Sequence, residues 1–150
     1  MYFLLPKDRL ILVQSLTRAL CGDAHISLEG DLSRCITNLR VIRDASAHPT
    51  ATLRMNTLSA ARHDFVVLPL EVDTLDAITT RILPRIGLAQ HVWHIQIEQH
   101  GVLQFASYDS FESVALSDSM PEELLLELMQ QHALRGYSRD GRLREQVNRQ

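Results

Sequence analysis

Two runs of alternating side chains, joined by a short turn with a glycine, constrain this fold more than any other feature of the sequence. Residues 93–98 alternate between apolar and polar, and residues 102–108 form a second run of the same kind. A period of two is typical of a strand with one buried face. The turn between them ends in Gly101, where a tight hairpin favours positive φ. The sequence therefore predicts an antiparallel hairpin with Trp93 on its apolar face and His94 on a half-solvated face.

Further strands are predicted on both sides of this hairpin. Two segments alternate in the same way, one is rich in β-branched and aliphatic residues, and one is a short apolar run typical of a buried strand. Pro69 in that apolar run indicates that the strand ends there or lies at a sheet edge. These predicted strands are 24–29, 36–42, 50–57, 65–70 and 111–116.

Apolar residues that recur every three or four positions predict three helices. Asp73 is predicted to cap the second helix and Ser119 the third. Pro84 ends the second helix, and Gly136 is a stop signal for the third. The predicted helices span 7–21, 74–84 and 121–134.

The order of these elements indicates the fold class. Strands come in consecutive runs with short turns, and a helix precedes, separates or follows each run. This order predicts an α+β fold, a mainly antiparallel sheet with about three helices packed on it. The length of 150 residues is typical of one domain. We assign residues 1–137 to that domain and 138–150 to a polar, arginine-rich tail that is frayed or a marginal helix.

The compartment predicted from the sequence is a bacterial-type cytoplasm. The apolar start at 1–5 is too short for a signal peptide, and its charges follow it instead of preceding it. No segment approaches the roughly 18 apolar residues of a membrane helix, so no membrane partner is expected. Cys21 and Cys35 are interpreted as two buried thiols rather than a disulfide.

Metal ions and cofactors are not expected. His91, His94, Glu98 and His100 cluster along the chain. On a strand, however, His94 and Glu98 lie about 13 Å apart, too far to share a zinc ion. The glycine-rich loops that bind nucleotide phosphates are absent, and outside the tail the arginines are too scattered for a nucleic-acid stripe. Contact of the arginine-rich tail with RNA or a membrane is the alternative that the sequence leaves open.

Catalytic residues are not predicted either. The sequence lacks a nucleophile elbow, and neither cysteine lies in a recognisable motif. The carboxylate pairs Glu29 with Asp31 and Asp109 with Glu112 are compatible with acid–base chemistry, but capped turns are the favoured explanation for each pair.

The distribution of charge is the most informative functional feature. Between Ile86 and Leu134 there is no Lys or Arg, although the whole chain has a formal charge of only −3. A negative face of this kind steers a basic partner and raises its association rate. The arginine-rich end of the chain is an alternative partner for these acids. The carboxylates in this cation-free region are Glu98, Asp109, Glu112, Asp118, Glu122, Glu123 and Glu127.

Two short motifs carry a resemblance. Residues 26–33 (ISLEGDLS) are one, and the hairpin end 108–111 (YDSF), followed by a capped leucine-rich helix, is the other. Together they resemble small cytosolic immunity proteins encoded beside bacterial polymorphic or contact-dependent toxins. The resemblance implies a non-catalytic α+β domain that binds one toxin and blocks it. The modest total charge differs from that of strongly acidic immunity proteins and leaves the toxin's class open.

Three hypotheses follow from this reasoning. The first is a toxin-neutralising protein whose partner is another protein. The second is a small hydrolase-like enzyme that uses acidic and histidine side chains. The third is a regulatory domain that is a homodimer, rather than a monomer, through an edge strand such as 102–107 or 111–116. The partner-binding residues predicted by the first hypothesis are Glu98, Tyr108, Asp109, Glu112, Asp118, Glu29 and Asp31.

Overall fold

The computed structural model describes residues 1–32, 49–56, 63–88 and 90–145. The strands in these ranges are β1 (Tyr2–Pro6), β2 (Ala24–Gly30), β3 (Asp64–Leu70), β4 (Val92–Gln99), β5 (Val102–Tyr108), β6 (Ser113–Leu116), β7 (Leu134–Arg139) and β8 (Arg142–Glu145). The helices are α1 (Arg9–Ala19), α2 (Val72–Asp76) and α3 (Glu122–Gln130). A π-helical stretch (Ala77–Ile82) and a 3₁₀ turn (Leu83–Arg85) continue α2.

The described strands form one sheet in the order β3-β2-β4-β5-β6-β1-β7-β8, and every neighbouring pair is antiparallel. This arrangement confirms the predicted α+β class. The strands β5 and β6 each have a neighbour on both sides, so the predicted edge strands 102–107 and 111–116 lie inside the sheet. The terminal strands among those described are β3, which contains Pro69, and β8. No helix in the described ranges is long and apolar enough to cross a bilayer.

One face of the sheet carries the main hydrophobic core. A single cross-strand row contains Leu68, Ile26, Ile97, Phe105 and Leu116, all nearly inaccessible to solvent. The apolar sides of the helices complete the same cluster. Each such side chain contributes about 1.5–3 kcal/mol by leaving water. This core positions the strands that carry the polar side chains of the opposite face. The helical members of the cluster include Leu12, Val13, Leu16, Leu125 and Leu128.

The opposite face, here called the second face, is covered over only half its width. Val67, Ser27, Gln96, Ala106, Ala115, Phe3, Ser138 and Leu143 form one row across all eight strands. Exposure along this row rises from 1% at Val67 to 54% at Phe3 and 55% at Leu143. Residues 49–56 lie across the covered half, where Leu53 is fully buried. We call the exposed half, formed by β6, β1, β7 and β8, the open face.

The helix boundaries differ from the predictions at their ends. The first helix is capped by Asp8, whose Oδ1 accepts a hydrogen bond from the Ile11 N–H at 2.9 Å. The second is capped by Glu71 rather than Asp73, since the Glu71 N–H donates to Thr74 Oγ1 at 3.0 Å. The third has Pro121 as its N-cap instead of Ser119, and it ends at Gln130.

The predicted tail is wrong for residues 138–145, which form β7 and β8 with the turn between them. Gly136 is a strand residue, not a helix stop. A Cβ at this position would collide with the backbone carbonyl of Arg144, so glycine allows β8 to approach closely. Asp140 and Gly141 have φ of 53° and 74°, the two positive values of a tight hairpin turn.

Two further strands were predicted at 50–57 and 36–42. The predicted strand at 50–57 is wrong for 50–56, because Thr50 Oγ1 accepts from the Leu53 N–H in a local turn and Thr52 Oγ1 donates to the Gly101 carbonyl. These contacts hold the segment against the sheet without strand pairing. The predicted strand at 36–42 lies outside the described residues. The strand β1 was not predicted, since its five residues are too few to show a clear period.

Candidate functional site

A layer of polar side chains lies buried on the covered half of the second face. It is built by β2 and β4, whose central polar residues were expected to face solvent. That expectation is wrong, because residues 49–56 cover them and exclude water. We call this set the buried polar layer. Its members are Ser27, Glu29, His94, Gln96 and Glu98, which are between 1% and 8% exposed.

Glu29 is the most enclosed acid of this layer. Its carboxylate accepts the Asn56 backbone N–H at 2.6 Å on Oε1 and 3.1 Å on Oε2. The Nε2 atom of His63 lies 3.0 Å from Oε1, and the His63 side chain is only 8% exposed. A buried carboxylate is stable only when it is hydrogen-bonded in this way. Glu29 therefore fastens residues 56 and 63 to the sheet.

Glu98 makes a second carboxylate–histidine pair. His25 Nδ1 lies 3.3 Å from Glu98 Oε1, and His25 is one-third exposed. The other oxygen, Oε2, is buried without a hydrogen-bond partner among the described residues. A buried acceptor in this state costs about 1–3 kcal/mol, so it requires an explanation beyond stability.

The sequence contains a signal for these pairs that alternation alone does not reveal. The pattern His-Ile-x-(Leu or Ile)-Glu occurs at 25–29 and again at 94–98. In the antiparallel register of β2 and β4, each histidine lies opposite the other strand's glutamate. A bulge in β4 also moves Trp93 out of the apolar row, to 5.6 Å from the His63 ring, and Val92 joins the core instead.

The layer extends to the β5–β6 turn through Tyr108. The Gln96 side-chain amide donates to the Tyr108 hydroxyl at 2.8 Å, and the Tyr108 ring contacts His94 edge-on. The Asp109 N–H donates to His94 Nδ1 at 3.3 Å, and the Ser110 N–H donates to the Trp93 carbonyl at 2.9 Å. These contacts fix the turn against β4.

The turn itself has an unusual backbone. Asp109, Ser110 and Phe111 have φ of 52°, 55° and 71° although none is glycine. Such residues cost energy and persist only where surrounding contacts hold them. Asp109 and Glu112 are exposed here, and no ion pair in the described ranges involves either of them. The turn thus presents two carboxylates from a fixed backbone.

The remaining carboxylates of the cation-free region do not form one surface with this turn. Asp118 lies beyond the far end of β6, whose four residues span about 13 Å at the rise of a strand. It contacts the N-terminal ammonium and lies 3.3 Å from Arg139 Nε. The hydrogen bond from the ammonium, then its charge and that of Arg139, lower the pKa of Asp118 against the effect of burial. Glu122 lies 3.4 Å from Arg144. The arginine-bearing end therefore neutralises part of the predicted acidic face.

The other predicted binding residues are distributed between interior and surface. Glu29 and Glu98 are buried, so in this conformation neither lies on a surface that a second protein contacts. Asp31 is half-buried just after β2, where its N–H donates to the His91 carbonyl at 3.0 Å. Tyr108 is half-buried beside the turn.

The open face is apolar at its centre. Phe3 and Leu143 share its central row, and Met1 at the edge is 57% exposed. The small residues Ala115 and Ser138 flank Phe3 in that row. At the Met1 end of this face, Asp118 contacts the Met1 ammonium and is also paired with Arg139. At the opposite end, the β5–β6 turn and β8 carry three exposed carboxylates that have no ion pair in the described ranges. We call these three, Asp109, Glu112 and Glu145, the acidic rim.

A cavity of about 410 Å³ lies on the other side of the sheet, between the β7–β8 hairpin and the start of α3. We call it the arginine cavity. The Tyr137 hydroxyl donates to Glu122 Oε1 at 2.7 Å. Burial, followed by this hydrogen bond and the charge of Glu122, raises the pKa of Tyr137 to about 12. Its lining residues are Tyr2, Glu122, Tyr137, Arg139, Asp140, Arg142 and Arg144.

Neither a metal centre nor an activated thiol is present in the described ranges. No group of three or more His, Cys, Asp or Glu side chains there is arranged to hold a metal ion. Cys21 is half-buried rather than buried, and burial, then the charges of Glu71 and Asp73, raise its pKa. A raised thiol pKa lowers the thiolate fraction and hence reactivity. Cys35 lies outside the described residues.

In comparisons with known proteins, no family model, no curated protein and no solved structure matches the chain.

Proposed function

We propose that this chain is a non-catalytic, immunity-type protein that binds and neutralises a cognate bacterial toxin domain in the cytoplasm. The observation that carries the proposal is the exposure of Phe3 and Leu143 in one row of an otherwise well-packed sheet. Only the small Ser138 separates them in that row, and Met1 is also exposed at the edge of this face. Exposed apolar patches rimmed by polar residues are typical of protein interfaces. The open face is the proposed centre of the contact.

The acidic rim indicates the kind of partner. An apolar centre with a charged periphery is the usual anatomy of a protein interface. Asp109 and Glu112 lack ion pairs among the described residues, so they are available to arginines or lysines of a partner. Charge complementarity of this kind raises the association rate and selects a basic partner. A toxin domain with a basic surface fits these requirements.

The buried polar layer supports this function indirectly. It holds His94 and Tyr108 in place, and these side chains fix the turn that carries Asp109. A preorganised turn loses less entropy on binding than a mobile one. His94 and Gln96 are therefore proposed as positioning residues for the turn. Glu29 and Glu98, expected from the sequence as contact residues, are not proposed as contacts because they are buried.

The test is binding to the C-terminal domain of the protein encoded by the neighbouring upstream gene. We expect Asp109→Arg with Glu112→Arg to weaken binding at least 10-fold, measured by calorimetry. The matched control is Glu123→Arg with Glu127→Arg, which makes the same charge change on the exposed side of α3 and leaves affinity within threefold. Phe3→Ser tests the apolar centre and is expected to weaken binding by a similar factor.

Equal effects of the two charge reversals would show that only total charge matters and would remove the rim from the proposal. Unchanged binding by Phe3→Ser would remove the open face. A neighbouring gene product that neither binds the protein nor is neutralised by it when the two are co-expressed would contradict the toxin-inhibitor function.

The Glu98–His25 pair favours a second candidate, a small hydrolase-like enzyme. A buried carboxylate at His25 Nδ1 leaves Nε2 of a one-third-exposed ring as a base, which is how a catalytic histidine is oriented. His100, with Asp23 at 2.8 Å, makes the same pair in full solvent and is the matched control. An enzyme of this kind would lose most hydrolysis of p-nitrophenyl acetate in His25→Asn but not in His100→Asn. Equal losses would leave only background imidazole reactivity.

A further inference from the structure

The outer edge of β8 is unpaired among the described strands. Its only neighbour there is β7, and all four of its residues are exposed. A strand edge presents backbone donors and acceptors that a further strand satisfies. This edge borders both the open face and the arginine cavity.

The register of the β7–β8 hairpin shows which backbone groups face outward. Arg139 and Arg142 close a two-residue turn and therefore form the hydrogen-bonded type of pair. Pair types alternate along an antiparallel ladder, so Leu143 and Glu145 direct their N–H and C=O groups away from β7. An added strand would hydrogen-bond to these two residues.

The side chains of the same edge divide between the two faces. Leu143 lies on the open face, level with Phe3. Arg142 and Arg144 point to the opposite side and line the arginine cavity. Arg144 is paired with Glu122, whereas Arg142 has no ion pair among the described residues. An added strand would meet arginine, leucine and arginine in succession.

Self-pairing of this edge is disfavoured by the same pattern. A two-fold pairing of β8 with a second copy must centre on one residue, because opposed side chains share a face. Centring on Leu143 places Arg142 of each copy opposite Arg144 of the other copy, which makes two arginine–arginine pairs. Centring on any of the three charged residues places that residue opposite itself. Like charges directly opposite each other are destabilising, so a second copy is a poor occupant.

We propose that the β8 edge binds an extended acidic segment of a partner protein as an added antiparallel strand. Its pattern is acidic, apolar, acidic: the two carboxylates face Arg144 and Arg142 over the arginine cavity, and the apolar residue lies opposite Leu143. The arginine positions are close, non-hydrogen-bonded pairs on the outer side, which brings guanidinium and carboxylate together. Backbone pairing supplies affinity and the alternating side chains supply specificity. This edge shares Leu143 with the open face and Glu145 with the acidic rim. The proposal rests instead on the outward backbone groups and on Arg142 and Arg144, so an acidic peptide tests it independently of the proposed function.

The test uses a synthetic peptide, acetyl-Thr-Glu-Val-Glu-Thr-amide, and its counterpart with both glutamates replaced by lysine. Binding is followed by amide chemical shifts of the full chain. We expect the acidic peptide to protect the Leu143 and Glu145 amides from exchange and to bind at least 10-fold more tightly than the lysine peptide. Arg142→Gln with Arg144→Gln is expected to remove most of this preference.

The backbone contribution is tested separately with Leu143→Pro, which removes one outward N–H and no predicted bond to β7. Binding of the acidic peptide should fall at least 10-fold, while Leu143→Ala, which keeps the N–H, retains most of it. Thermal unfolding verifies that both variants fold. If Leu143→Pro does not fold, protection of the wild-type Leu143 and Glu145 amides by the acidic peptide tests the backbone pairing instead. The proposal would be overturned by any of three results: unchanged binding of the acidic peptide to Leu143→Pro, equal binding of both peptides, or no binding at millimolar peptide.

Discussion

Among the side chains of the buried polar layer, Glu29 is the one whose substitution we expect to lower the free energy of unfolding most. It accepts the Asn56 N–H and lies 3.0 Å from His63 Nε2, in surroundings without solvent. We expect Glu29→Ala to lower the free energy of unfolding by about 3 kcal/mol, because breaking a buried pair leaves its partners unsatisfied. Urea unfolding at neutral pH measures this change. Glu29→Gln keeps the shape and an acceptor oxygen and should lose less.

Glu112→Ala is the matched control for Glu29, since it removes a carboxylate that is exposed and has no ion pair among the described residues. Its effect should lie within about 0.5 kcal/mol, as for most surface substitutions. Similar losses in Glu29→Ala and Glu112→Ala would mean that the buried polar layer does not hold residues 49–56 on the sheet.

Because folding raises the pKa of Tyr137, we expect the protein to lose stability at alkaline pH. Folding raises its pKa from the usual value of 10 to about 12, through burial and the hydrogen bond to Glu122. The stabilisation is fully present below pH 10 and is lost as the pH rises from 10 to 12, because the unfolded chain ionises first. The loss is on the order of 2 kcal/mol.

Urea unfolding of the wild type and Tyr137→Phe between pH 9 and 12 measures the Tyr137 contribution. The stability difference between them should shrink over this interval, since phenylalanine does not ionise. Glu122→Gln removes the negative charge but keeps an acceptor, so it should move the Tyr137 titration toward 10. A constant difference across the interval would contradict the assigned cause.

At the scale of elements, local patterns determined most strands and helices but not what covers them. The alternation predicted the strands β2, β4 and β5, and the three-to-four spacing predicted the helices. Both patterns were sufficient for this, because each of these elements has one apolar face on the core. Alternation alone does not distinguish a polar face in water from one covered by a distant segment. The burial of Glu29 and Glu98 under residues 49–56 was therefore not predictable from the strands themselves.

The prediction for the residues of the β7–β8 hairpin was wrong for a different reason. Gly136 is a helix stop signal by composition, whereas its role here is to allow close approach of Arg144. The Asp140-Gly141 dipeptide is a strong hairpin signal that the arginine-rich composition of the segment obscured. Treated as a hairpin, the segment would have placed Arg142 and Arg144 on one side of an edge strand.

This arrangement of charges on β8 predicts that one substitution creates a dimer. In the Leu143-centred pairing, Arg142→Glu would place a carboxylate opposite Arg144 of the second copy at two positions. We expect this variant to form a concentration-dependent dimer by light scattering. Arg142→Ala adds no attraction and should not do so, and Arg142→Glu with Arg144→Glu restores repulsion and the wild-type state. A wild type that dimerises as strongly as Arg142→Glu would show that arginine repulsion does not protect this edge.

For the whole molecule, the sheet should have a gradient of local stability from β2 and β4 outward to β8. β2 and β4 have neighbours on both sides, the hydrophobic core on one face and residues 49–56 on the other. β8 has one described neighbour and exposed side chains throughout. Amides exchange by local opening where few buried contacts resist it, and by global unfolding where many do. The amides of β2 and β4 should therefore exchange only as fast as the whole domain unfolds.

Native-state hydrogen exchange by NMR tests this gradient and the register together. We expect the Ile26 and Ile97 amides to share the free energy of global unfolding and the β8 amides to exchange at least 100-fold faster. Within β8 the inward Arg144 amide should be protected more than the outward amides of Leu143 and Glu145, since only the former donates to β7. Equal protection of inward and outward amides in the free protein would mean that another strand already occupies this edge. Uniform protection across the sheet would instead show that the two halves open as one unit, although only one half is covered on both faces.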